Sequence, residues 1–204
     1  NRLIGVDANF FISQYYDQIT RTQTLYPSFY SGFIPYTNFD NNEYRGAELG
    51  ITLHRNIGDF SFALGAKALY STSKVIKKDE IYADAYQNRT GRPVDAMFGL
   101  VSDGFFNDNT EIANHAFQVF GIVQPGDIKY VDQNDDGVID ANDEIQIGRS
   151  QAPFSYGLNL SLSYKHFTLF AQGTGVNGAD SYINGDYYWV DGNDKYSAYV
   201  LNRW

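Results

Sequence analysis

Residues 156 to 175 read YGLNLSLSYKHFTLFAQGTG. Leu158, Leu160, Leu162 and Tyr164 alternate with Gly157, Asn159, Ser161, Ser163 and Lys165. The chain then turns at His166 and runs back, with Phe167, Leu169 and Ala171 set against Thr168 and Gln172. A period of two puts one set of side chains on each face of a strand. The stretch predicts two amphipathic antiparallel strands joined by a tight turn.

The same period recurs upstream. In LIGVDANFFIS (3–13), Ile4, Val6, Ala8, Phe10 and Ile12 face one way and Gly5, Asp7 and Asn9 the other. In GAELGITLHR (46–55), Ala47, Leu49, Ile51 and Leu53 alternate with Glu48, Gly50, Thr52 and His54. After a turn at NIGD, FSFALGAKALY (60–70) sets Phe60, Phe62, Leu64, Ala66, Ala68 and Tyr70 against Ser61, Ala63, Gly65 and Lys67. Strands of about nine to eleven residues reach across a bilayer at a tilt. The polar faces carry Asp7, Glu48, Lys67 and Lys165, which a wet lumen accepts, and the apolar faces end in aromatics: Tyr70, Phe154, Tyr156, Tyr164 and Phe167. Such rings suit a membrane interface. A soluble antiparallel sandwich also alternates, so the pattern alone leaves both architectures open.

Composition narrows the field. The 204 residues suffice for one sizeable domain and hold 17 Tyr, 15 Phe and 19 Gly, a mixture that favours strands and turns. The absence of cysteine removes disulfides, thiolate metal sites and cysteine nucleophiles together. A net charge of -9 argues against nucleic acid as a partner. No apolar run reaches the roughly 18 residues of a spanning helix.

Connections separate the two architectures. RNIGD and KH are short, whereas 17–43, 74–153 and 174–204 are long. Outer-membrane barrels alternate short turns with long external loops in this way. The expectation is an all-β chain of antiparallel strands from a large transmembrane β-barrel, with 74–153 as a long extracellular insertion. About five strands are legible, fewer than the minimum of eight for a single-chain bacterial barrel. The opening NRLIGVDANF reads as the middle of a strand. Both features predict one part of a barrel domain spanning 1–204, with its remaining strands supplied elsewhere.

The longest insertion is acidic and contains DQNDDGVIDANDE (132–144). An EF-hand-type loop places oxygen ligands at positions 1, 3, 5, 7, 9 and 12 with glycine at 6. Counted from Asp132, these are Asp132, Asn134, Asp136, the Val138 carbonyl, Asp140 and Asp143, with Gly137 at the turn. Ile139 falls where such loops point an apolar side chain inward. Position 12 is an Asp in place of the usual bidentate Glu, and no flanking helices are evident. The spacing predicts a structural Ca²⁺ clip, against an acidic solvated turn as the plainer reading.

From this loop onward the chain resembles a known family. PGDIKYVDQNDDGVIDANDEIQIGRSQAPFSYGLNLSLSYKHFTLFAQGTG (125–175) is similar to the carboxy-terminal half of SusC/RagA-type TonB-dependent outer-membrane transporters. MFGLVSDGFFND (97–108) looks like the segment leading into that loop, and YVLNRW (199–204) like the approach to a further external loop. The resemblance implies a barrel of about 22 strands with an amino-terminal plug. It further implies import of oligosaccharides or peptides across the outer membrane of Bacteroidetes-type bacteria, energy delivered by TonB, and a SusD-like surface lipoprotein as partner. The plug and the TonB-contacting part are not in this sequence.

The residues also bear on two other readings. His54, His115 and His166 lie far apart and in no catalytic motif, so an enzyme is not expected. A soluble calcium-stabilised β-sandwich that binds carbohydrate is the principal alternative, because YINGDYYWVDGNDKY (182–196) is rich in aromatics that could stack on sugars. On either reading Tyr187, Tyr188 and Trp189 are the candidate ligand contacts.

Overall fold

The computed structural model describes residues 3–22, 26–30, 32–185, 188, 195–198 and 201. The fold is all-β. In chain order the elements are β1 (Ile4–Arg21), β2 (Tyr36–Ile57), β3 (Phe60–Lys77), β4 (Ala96–Gly99), β5 (Ser102–Phe105), α1 (Asn109–Asn114), β6 (Phe117–Gln118), β7 (Ile128–Tyr130), β8 (Val138–Ile139), β9 (Ile145–Arg149), β10 (Phe154–Tyr164) and β11 (Phe167–Asn177). Among the described residues no helix is long and apolar enough to cross a membrane.

Five strands form one antiparallel sheet in the order β1-β2-β3-β10-β11. The 156–175 hairpin is its far edge: Tyr164 pairs with Phe167, and Lys165 takes a φ of 52° in the turn between them. Gly58, at φ 60°, does the same between β2 and β3. Register aligns the alternating residues into rows that cross the whole sheet. One row is Val6, Ile51, Ala66, Leu158 and Gly173; the next is Ala8, Leu49, Ala68, Tyr156 and Gly175. Phe10, Ala47, Tyr70 and Phe154 follow. A one-residue slip in any strand would move its apolar set to the other face, so this agreement across five strands fixes the register.

Nothing among the described residues covers these rows. Phe10 is 86% exposed, Val6 64%, Leu158 53% and Leu169 60%. The buried apolar side chains, Ile34, Val75, Phe106 and Ile139, all lie outside the rows. A sandwich packs such a face against a second sheet about 10 Å away; no second layer among the described residues receives it. The eleven residues of β10 rise about 34 Å along the strand, or about 26 Å at a barrel tilt near 40°. Tyr164 and Phe60 close the apolar band at one end, Tyr70 and Phe154 at the other.

The strands outrun the expected lengths. β1 and β2 stay paired to Arg21 and Tyr36, inside the stretch expected to be loop from residue 17 to 43, and β3 continues to Lys77. Beyond the apolar band that pattern stops: Gln14, Glu43 and Lys74 occupy the side that carried Val6 and Leu158, and Tyr15, Tyr44 and Val75 lie on the other. Alternation therefore vanishes while the backbone ladder, which needs no particular side chain, goes on. A bulge interrupts it at Tyr16 and Asp17, where Asp17 has φ 51° and donates its amide to Asn41 Oδ1 at 2.8 Å. Lys165 belongs to the turn and lies over the Tyr164 ring, not on the polar face.

The chain divides into two compact units. The first, Asn1–Met97 with Gly148–Ala179, contains the sheet. The second, Phe98–Ile147 with Asp180–Trp204, is built on short pairings of β5 with β7 and, in parallel, β6 with β8. Among its described residues, Phe106 and Ile139 are the buried apolar side chains. Gln118 stitches it internally: its amide donates to the Ile128 carbonyl and its Oε1 accepts from the Tyr130 amide.

Candidate functional site

The polar face of the sheet forms the first candidate surface. Asp7, Gly50, Lys67, Gly157 and Thr174 make one row, and Asn9, Glu48, Leu69, Ser155 and Val176 the next. Together they line an open groove of about 930 Å³. Gly50 separates the opposite charges of Asp7 and Lys67. A β-carbon there would stand 3.4 Å from Asp7 Oδ2 and 3.8 Å from Lys67 Cγ, so both side chains lie across the glycine. Asn9 donates to Glu48 at 3.5 Å. The groove thus offers carboxylates, an ammonium, amides and hydroxyls to water, on the side opposite the apolar rows.

The acidic loop is folded by its own side chains. Asp132 Oδ2 accepts from the Gly137 amide, Asn134 Oδ1 from Asp136, Asp136 Oδ1 from Val138, and Asp140 Oδ1 from Asn142, all at 2.7–3.1 Å. Gly137 has φ 83°, a conformation costly for a side chain with a β-carbon. Asp143 is fully buried, and its two oxygens accept from the amides of Gln133 and Asp140, each at 2.8 Å. It ties the beginning of the loop to its end. Ile139 is also fully buried, pointing inward as its position in the motif predicts. Asp132 Oδ1 is buried with no hydrogen-bond partner. An orphaned carboxylate oxygen at position 1 suits a cation. Among the described residues, however, no three His, Asp or Glu side chains converge on one metal position.

A third feature was not singled out in the sequence. Asp95 receives Arg149 through Nε at 3.2 Å and Nη2 at 3.1 Å, the Gln151 amide at 2.9 Å, and the Ser73 hydroxyl at 3.0 Å. Its backbone carbonyl accepts from Ser150. The Asp95 side chain is only 5% exposed. Desolvation by itself would raise its pKa; the hydrogen bonds from Arg149, Gln151 and Ser73 outweigh it and hold the carboxyl below the usual range. The knot ties the top of β3 to the segment that re-enters the sheet at β10. No local pattern announces it, because its partners are distant in sequence.

Glu111 is the remaining shifted carboxylate of note. The Asn107 amide, the Lys129 ammonium and the Asn107 side chain lower its pKa to about 2. Lys129 also pairs with Asp103 at 3.2 Å, and the two acids raise its own pKa. Of the expected ligand contacts, Tyr187 and Trp189 lie outside the described residues; Tyr188 is exposed, its amide donating to the Gly185 carbonyl.

No protein-family model matches the chain, and no curated protein does. Solved structures do. A chain of a structure described as the RagAB peptide transporter matches with a TM-score of 0.65 and 17% identity, over 99% of this chain and 23% of that one. A chain of the RagAB peptide importer in the closed-closed state matches with a TM-score of 0.58 and 14% identity, over 88% and 20%. This chain thus spans about a fifth of the length of those it resembles. At such identity the likeness shows the fold alone, an all-β arrangement like the matched part of those chains.

Proposed function

We propose that the chain is a five-strand wall of a larger β-barrel in the bacterial outer membrane. It would belong to a TonB-dependent importer of oligosaccharides or peptides that works with a SusD-like surface lipoprotein. The observation that carries this reading is the uncovered apolar face. Three successive rows of Ile, Val, Leu, Ala and aromatic side chains lie uncovered across the sheet, while the opposite face is polar and lines a groove. Water penalises that apolar face by about 25 cal/mol for each Å² left exposed; lipid does not. Among the described residues the sheet has open edges at β1 and β11, which further strands of a barrel would pair. Between the two substrate classes, the peptide importers among the structural neighbours favour peptide.

On this reading the polar groove belongs to the barrel interior, and the insertion 74–153 to the extracellular side. Tyr187, Tyr188 and Trp189 remain the proposed ligand contacts. The loop 132–144 is proposed as a Ca²⁺ clip on Asp132, Asn134, Asp136, the Val138 carbonyl, Asp140 and Asp143. The orphaned Asp132 oxygen supports it. Asp143 keeps acceptor capacity after its two amide bonds, since a carboxylate has about four lone-pair sites.

The test of the barrel reading uses single cysteines, for which these residues provide a clean background because they contain none. In the complete barrel protein in lipid, Val6→Cys and Leu158→Cys should react with a membrane-soluble maleimide. Asp7→Cys and Lys67→Cys should react with a water-soluble one. Equal labelling of both sets by the aqueous reagent would sink the proposal. For the clip, protease digestion of the intact protein with and without chelator decides: an unchanged cleavage pattern in 78–153 removes calcium.

A further inference from the structure

The apolar face gives way to charge at a definite level. Past Phe10, Ala47 and Tyr70, the same side of the sheet carries Ile12, Arg45 and Thr72, then Gln14, Glu43 and Lys74. Arg45 lies directly opposite Thr72, and Lys74 directly opposite Glu43. Arg45 and Lys74 are therefore diagonal neighbours, with backbones roughly 7–8 Å apart. The segment at Gly91–Val94 runs along β3 here, with Val75 donating to the Arg92 carbonyl and Gly91 to the Val75 carbonyl. It walls off a recess of about 250 Å³ lined by Arg45, Thr72, Lys74 and Glu43 with Gly91 and Pro93.

The two cations are both exposed, and their side chains make no ion pair or hydrogen bond among the described residues. Cations on and beside the strand extensions are otherwise engaged. Lys77 lies over the Phe39 ring, Lys78 pairs with Asp40, and Arg92 donates to the carbonyls of Asn88 and Tyr86. The one acid in the recess, Glu43, has Oε2 turned to Gln14 at 2.7 Å. At the other margin of the band, Arg55 stands opposite Phe62 on the same face. The ten residues from Arg45 to Arg55 span about 34 Å of strand, or about 26 Å at a tilt near 40°. That is about the height of the hydrocarbon-facing band of a barrel. Arg45 and Lys74 thus fall at headgroup depth, where the anionic group at hand is a lipid phosphate.

We infer that Arg45 and Lys74 form a binding site for the phosphate of an anionic lipid headgroup, at the level where the strands leave the bilayer. The inference rests on the barrel reading above. Arg45 supplies a planar fork that matches phosphate oxygens, Lys74 a second positive charge, and Thr72 a hydroxyl donor between them.

The test compares wild type with the Arg45→Gln/Lys74→Gln variant of the complete barrel protein. Both are placed in nanodiscs of phosphatidylcholine with a minor fraction of phosphatidylglycerol, and retained lipid is counted by native mass spectrometry. At about 1 kcal/mol for each basic residue near an anionic surface and about 1.4 kcal/mol per tenfold, phosphatidylglycerol enrichment should fall about 30-fold. Arg45→Lys/Lys74→Arg should restore most of it, and Lys67→Gln, on the opposite face, should leave it unchanged. Undiminished enrichment in an inserted Gln variant overturns the lipid site alone. Failure of the wild type to insert overturns the barrel reading with it. Displacement of phosphatidylglycerol by an equal concentration of inorganic phosphate, or loss of a co-purifying protein with lipid unchanged, also overturns the headgroup assignment.

Discussion

Asp95 and Arg149, 54 residues apart, meet in a two-pronged ion pair, with Nη2 at 3.1 Å and Nε at 3.2 Å from the two carboxylate oxygens. Between them runs Phe98–Ile147, one of the two segments of the second unit. Removing Asp95 leaves a guanidinium that is only 18% exposed without its anion. Asp95→Ala is expected to destabilise the junction by about 3–5 kcal/mol. Amide exchange at Gln151, which loses its acceptor, should quicken accordingly.

The same knot has a pH signature. The folded pKa of Asp95 lies below its ordinary 3.8. Its contribution is therefore complete above that value and is lost as pH falls through the lowered one. Amide exchange at Gln151 should be flat with pH above about 4, once corrected for the intrinsic rate, and should accelerate below it. In Asp95→Asn that acid-specific step should be absent.

The two faces of the sheet respond differently to charge. Leu158→Arg, near the middle of the apolar band, should cost about 2–4 kcal/mol in a lipid-reconstituted barrel. Gln172→Arg, on the opposite face, should cost well under 1 kcal/mol, as surface changes generally do. Urea unfolding in vesicles separates the two. Equal costs would contradict the assignment of the faces.

In the acidic loop, Asp143 carries the closure. Asp143→Ala removes the acceptor of two buried amide bonds and is expected to cost roughly 3 kcal/mol locally. The amides of Gln133 and Asp140 should lose protection together, because both bond to that carboxylate. Asp143→Asn, which keeps one carbonyl oxygen, should release one of them more than the other.

Glu111 titrates near 2 because the Asn107 amide, Lys129 and the Asn107 side chain all favour its charged form. Lys129→Met should move it part of the way back towards 4.5, with the Asn107 bonds retaining the rest. Carboxyl-carbon NMR reads this directly. Because the folded pKa is lowered, whatever Glu111 contributes to stability is present above 4.5 and disappears as pH falls towards 2.

The alternating residues of 3–13, 46–55, 60–70 and 156–175 determined by themselves that the chain folds as amphipathic strands, and which residues share a face. A period of two is written side chain by side chain, so it survives in the sequence. The loop 132–144 was equally legible, since its caps join residues no more than ten apart. Tertiary structure alone decided three things. Strand order and register joined Val6 to Gly173 through three intervening strands, and pairing of that kind depends on partners far away in the chain. The extensions of β1, β2 and β3 beyond the apolar band were invisible because a backbone ladder persists without any alternation of side chains. The meeting of Ser73, Asp95 and Arg149, and the placing of Arg45 beside Lys74, exist only once the sheet is assembled, because nothing local to either residue specifies the other.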